Sequence, residues 1–130
     1  MKEDDDYLIC KVVFIGEAGV GKTSIIQRFI KKTFSSSTSS TTGAIFIEKE
    51  MYFEDINQKI KFELWDTAGQ EKYRALAKVF YNNASICIMV YDITSKKTFD
   101  ELKNYWAENI KNNISGNSCK LKKYNLIQYK

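Results

Sequence analysis

The segment Gly16-Glu17-Ala18-Gly19-Val20-Gly21-Lys22-Thr23 constrains this 130-residue chain more than any other feature. It fits the spacing G-x-x-x-x-G-K-[ST], whose mechanism needs a strand before it and a helix after it. Both are legible. Leu8-Ile9-Cys10-Lys11-Val12-Val13-Phe14-Ile15 is a nearly continuous apolar run rich in β-branched residues, which predicts a strand buried on both faces of a sheet. From Lys22 to Lys32, Ile25, Ile26, Phe29 and Ile30 recur at helical spacing. Glycines let backbone N–H groups turn inward around phosphate oxygens, and the following helix start adds its positive dipole end. Lys22 is expected to reach the β- and γ-phosphates of a nucleotide, and the Thr23 hydroxyl to ligate Mg²⁺, a hard cation that shares its oxygen ligands with phosphate. Gly16, Glu17, Ala18, Gly19, Val20, Gly21, Lys22, Thr23 and the adjacent Ser24 are thus the expected phosphate-binding set.

The rest of the chain supplies a fold for that turn. Ser35 to Thr42 are eight hydroxyl residues that offer nothing to bury and compete for backbone hydrogen bonds, so they predict a mobile loop. Ala44–Phe53 and Lys59–Trp65 alternate apolar and polar residues around a polar Glu54–Gln58 stretch, which predicts an antiparallel hairpin. Ile86–Tyr91 predicts a second doubly buried strand, and Phe99, Leu102, Trp106 and Ile110 predict a helix after it. Strands alternating with helices imply an α/β fold in three layers, with a mostly parallel sheet and one antiparallel edge strand. The chain divides into an acidic N-terminal extension (1–6), one domain (7–111) and a basic tail (112–130).

Composition narrows the chemistry. There is no histidine, which removes Ser-His-Asp and Cys-His catalysis and every histidine metal site. Cys10, Cys87 and Cys119 stand at long spacings with no Cys-x-x-Cys pair, as in a reducing compartment. The start is acidic where a secretory signal is basic, and no apolar run approaches the ~18 residues of a membrane span. A cytoplasmic protein is expected. The net charge of +4 lies in residues 107–130, where Lys111, Lys120, Lys122, Lys123 and Lys130 face only Glu108, while residues 1–106 are neutral. That distribution argues against a specific nucleic-acid partner and for at most weak membrane contact through the tail.

Phe62-Glu63-Leu64-Trp65-Asp66-Thr67-Ala68-Gly69-Gln70 places an acidic residue at the carboxyl end of an apolar strand, where ligands sit in open α/β sheets. Asp66 can hold a water of the Mg²⁺ shell. Gly69 allows a backbone N–H to approach the γ-phosphate, and Gln70 has both a donor and an acceptor with which to orient attacking water.

With these residues in place the sequence resembles a Ras-superfamily small GTPase, and within it the Rab branch. Gly16–Thr23 is similar to the family's phosphate loop, Trp65–Glu71 to its second switch, Thr42-Gly43-Ala44-Ile45-Phe46 to its first-switch segment, and Val90–Thr94 to a Rab-type strand end. The resemblance implies a P-loop NTPase fold and a GTP/GDP switch in vesicle trafficking, dependent on Mg²⁺, with Gln70 and Lys22 as catalytic residues. It makes Thr23, Thr41 and Asp66 the metal set, with Ser40 and Thr42 as neighbouring hydroxyls in an adjacent register. It assigns Phe46, Trp65 and Tyr81 to effector and regulatory partners, and it implies transient visits to the cytosolic face of endomembranes. The family reads guanine with an Asn-Lys-x-Asp motif, and that motif does not occur here. The expectation is therefore a domain truncated before it, with its C-terminal part missing, a bare sheet edge at Ile86–Tyr91 and reduced selectivity for guanine. Two alternatives stay open: a degenerate GTPase-derived interaction module with weak or non-selective nucleotide binding, and another P-loop enzyme such as a small kinase.

Overall fold

In the computed structural model, residues 6–31, 44–67, 79–80 and 82–113 are described. Strand β1 (Tyr7–Ile15) leads through the glycine turn into helix α1 (Lys22–Lys31). Strands β2 (Ala44–Phe53) and β3 (Gln58–Thr67) follow, joined by a 3₁₀ turn at Glu54–Ile56. Strand β4 (Ile86–Met89) precedes a helical layer made of α2 (Lys96–Glu101), a π-helical stretch (Leu102–Trp106) and α3 (Ala107–Asn113).

The strands lie in the order β2-β3-β1-β4. β1 runs parallel to both β3 and β4, and β2 runs antiparallel to β3, so the sheet is mostly parallel with one antiparallel edge strand. The hairpin turns where Asn57 adopts left-handed φ 48, a conformation that asparagine tolerates better than most residues. β4 is the outermost strand on the other side among the described residues.

Successive residues of a strand point to opposite faces, and β1 divides its side chains accordingly. Val12 and Phe14 pack with Val20, Ile26, Leu64 and Val90 on the face covered by α1. Val13 and Ile15 pack with Cys87, Met89, Leu102, Trp106 and Ile110 on the face covered by α2 to α3. This is the expected three-layer P-loop arrangement, with helices on both faces of the sheet.

Two expectations are corrected. β1 is doubly buried only from Val12 to Ile15, whereas Tyr7, Leu8 and Ile9 are exposed. β4 pairs only with Val12 to Ile15, so Tyr7 to Ile9 lack that neighbour. The strand read as Ile86–Tyr91 stops at Met89. Val90 makes one more bond, from its N–H to the Ile15 carbonyl at 2.9 Å, and the chain then turns where the Ser95 N–H donates to the Asp92 carbonyl at 2.9 Å. The Ser35–Thr42 loop, the N-terminal residues before Asp6 and the tail from Ile114 lie outside the described residues.

Candidate functional site

The glycine turn is shaped by its first residue. Gly16 has φ 145, and a Cβ there would lie 2.2 Å from the Val90 carbonyl oxygen, so only glycine lets the chain pass under the end of β4. Gly19 (φ 75) and Gly21 (φ 105) also have positive φ. Backbone that mixes such residues with ordinary ones forms anion-binding concavities. A Cβ at Gly19 would meet nothing within 4 Å, and Ala18 beside it is exposed, so the turn is open on this side. Val20 differs, because its side chain is buried among Val12, Phe14, Leu64 and Val90 and anchors the turn to the core.

Lys22 opens α1 and folds back across the turn. Its Nζ donates to the Gly16 carbonyl at 2.9 Å and to the Glu17 carbonyl at 2.7 Å, and the residue is only 5% exposed. Burial pushes its pKa down to about 8, against the opposing pull of the Asp66 and Glu17 charges. A buried ammonium held by two carbonyls gains when an anion arrives beside it.

The next residue meets the end of β3. The Thr23 hydroxyl donates to Asp66 Oδ2 at 2.5 Å. Asp66 pairs in register with Phe14 and therefore projects on the α1 face, where the first turn of that helix lies. The strand end is fastened there by the Thr67 hydroxyl, which donates to the Phe14 carbonyl at 2.6 Å. Asp66 is buried, including its Oδ1. A hydroxyl and a buried carboxylate in contact are two hard oxygen donors. Among the described residues no group of three or more His, Cys, Asp or Glu could hold a metal ion by itself. Such a sparse set fits Mg²⁺, which takes one or two protein oxygens and completes its octahedron with phosphate and water. Ser24, next along α1, is half-buried.

Glu17 makes a contact that sequence reasoning missed. Trp106 Nε1 donates to Glu17 Oε1 at 3.1 Å across 89 positions of sequence. Trp106 stands on the stripe that predicts the helix, and it is fully buried. A buried indole N–H nearly always finds an acceptor, and that rule was the available signal. Thr41, Gly69, Gln70 and Tyr81 lie outside the described residues. Phe46 and Trp65 are brought together, directly opposite in the β2–β3 register with ring centroids 4.8 Å apart, and Phe80 adds a third ring 5.2 Å from Trp65.

Comparison with known proteins agrees with this architecture. The family model described as the Ras family matches residues 11–128. The chain is similar to Ras-related protein Rab7 of Cenchrus ciliaris, at 44% identity over 100 residues, covering 77% of this chain and 47% of that protein. Similarity to human Ras-related protein Rab-22A is 43% over 118 residues, covering 85% of this chain and 60% of that protein. The chain thus spans about half to three fifths of the length of these curated relatives.

Proposed function

Since the chain belongs to the Ras family and its relatives are Rab proteins, we propose that it is a GTP/GDP switch of the Rab kind, acting in vesicle trafficking and hydrolysing GTP slowly. The observation that supports this most directly is the convergence of Lys22 with the Thr23–Asp66 pair beside an open glycine turn.

Gly16 to Ser24 cradle the phosphates in this reading, the backbone and α1's positive end supplying the field. Lys22 is held by two carbonyls and turns a remaining N–H donor toward the β- and γ-phosphates. Thr23 and Asp66 hold Mg²⁺, with Thr41 joining from the first switch. Bound there, the ion would neutralise charge on the transferred phosphoryl group. Gly69 brings a backbone N–H to the γ-phosphate, and Gln70 orients the attacking water in line with the leaving oxygen. No arginine occurs in Gly16–Thr23 or in Ser35–Phe46, so a partner supplies one when fast hydrolysis is required. Effectors read the exposed ring of Phe46 and the half-buried Trp65 beside it, with Tyr81. Such a protein works at the cytosolic face of endomembranes.

Titration with fluorescent GDP and GTP analogues in Mg²⁺ tests this directly. Lys22→Ala should weaken binding by at least about a hundredfold, the scale of losing a charge-assisted contact to phosphate in a buried site. Unchanged affinity overturns the assignment. Gln70→Leu should abolish turnover and leave binding intact. The degenerate-module reading is favoured by one observation, the absence of Asn-Lys-x-Asp from these residues. It predicts equal, weak binding of GTP and ATP analogues, whereas tight GTP binding with rejection of ATP excludes it.

A further inference from the structure

A carboxylate inside a phosphate-binding turn is a liability, because it is a like charge to the ligand. Glu17 occupies the second position of the turn, and its two ends are gripped separately. Its carbonyl accepts from Lys22 Nζ at 2.7 Å, and its carboxylate accepts from Trp106 Nε1 at 3.1 Å. Trp106 belongs to the helical layer packed on Val13 and Ile15, whereas Thr23 and Asp66 meet on the opposite face of the sheet, with α1. The tie therefore draws the negative charge toward the face away from the pair that would hold the metal and phosphates. Trp106 also closes a π-helical stretch, Leu102–Trp106. A single π turn inside an α-helix widens the backbone by one residue and recurs at functional sites. Here Leu102, Trp106 and Ile110 all stay in one core across it.

Building on the nucleotide-binding reading above, we propose that Trp106 is a positioning residue for the phosphate turn: its indole N–H pins the Glu17 carboxylate on the helix side, removing a repulsive charge from the phosphate mouth. The indole does not touch the ligand and acts through Glu17.

The test separates this from plain packing. Affinity for a fluorescent GDP analogue in Mg²⁺ is measured on the full chain, on Trp106→Phe, on Glu17→Gln and on the double variant, with a thermal melt of each. Trp106→Phe removes the indole donor from a charged carboxylate and should lose about tenfold in affinity, more at low salt than at high salt. Adding Glu17→Gln removes the charge and should restore affinity to within about twofold, because the repulsion no longer exists. A loss in Trp106→Phe that Glu17→Gln does not rescue, or no loss at all, overturns the proposal. The second measurement needs neither ligand nor a Trp106 variant. In ¹H–¹⁵N spectra the Trp106 indole resonance should move upfield in Glu17→Ala as its acceptor disappears, and an unmoved resonance also overturns the tie. A wild-type chain that binds no guanine nucleotide defeats the nucleotide reading itself, which is a different result from binding without rescue.

Discussion

Ile9 and Ile15 are the same residue type on the same strand, six positions apart and so on the same face, yet Ile9 is 58% exposed and Ile15 is 0% exposed. The two halves of β1 differ in what surrounds them. Val12 to Ile15 have β3 on one side and β4 on the other, with α1 above and the α2–α3 layer below. Tyr7 to Ile9 have β3 as their one strand neighbour among the described residues and stay exposed. The buried half ends in the phosphate turn. A site built from a glycine pressed against Val90, a buried lysine and a buried carboxylate needs neighbours that do not move, and the crowded end of the strand provides them.

The contrast breaks most sharply at glycine. Gly16→Ala places a Cβ against the Val90 carbonyl at a φ that side chains rarely adopt, and it should cost more than about 4 kcal/mol in urea unfolding. Gly19→Ala, with nothing within 4 Å, should cost only about 1–2 kcal/mol for its φ of 75. Equal losses would mean that contact with β4 does not shape the turn. Next in size, Ile15→Ala should cost about 3 kcal/mol as a cavity in a packed core, and Ile9→Ala about 0.5 kcal/mol or less. A large loss at Ile9 would show that the first half of β1 is covered after all.

A more gradual effect, spread over pH, concerns Lys22. Its pKa is about 8 in the folded chain against 10.5 as the ordinary value. Between those values the unfolded chain binds the additional proton, so stability contributed by this group rises with pH from about 8 to 10.5, by up to about 1.4 kcal/mol per pH unit. Phosphate binding needs the charged form, so nucleotide affinity should fall over the same window while stability rises. Denaturant melts and GDP titrations at pH 7.5, 8.5 and 9.5 check both signs, at roughly one-unit intervals around the shifted value. Lys22→Met should flatten the stability profile, and a parallel fall of stability and affinity in the wild type would rule out a buried, carbonyl-held ammonium.

Much of this was readable beforehand because local chemistry speaks for itself. The Gly16–Thr23 spacing located the turn, β-branched runs located β1 and β4, and alternation located the hairpin. The Thr23–Asp66 contact was half legible, since each residue stood at the right end of its element, though only the β1–β3 register brought them to 2.5 Å. The length of cover was not legible. An apolar run from Leu8 to Ile15 reads as buried throughout, because periodicity shows which face a residue takes and not how far the neighbouring element extends. For the same reason the end of β4 was placed two residues late. The Trp106–Glu17 bond was invisible for a different cause: a helical stripe explains a tryptophan completely until its N–H is asked for a partner.

The sequence by itself determined the order of elements, the glycines that the turn requires, the lysine, hydroxyl and carboxylate types of the site, and the Rab-like membership of the Ras family, because each depends on residues near one another in the chain or on spacing alone. Tertiary structure decided which half of β1 is core, that Val90 makes Gly16 irreplaceable, that Lys22 is buried beside Asp66, and that a tryptophan 89 positions away holds Glu17. Those four facts come from contacts between segments distant in sequence, whose distances are set by the packing of layers and not by any local preference of the residues that meet.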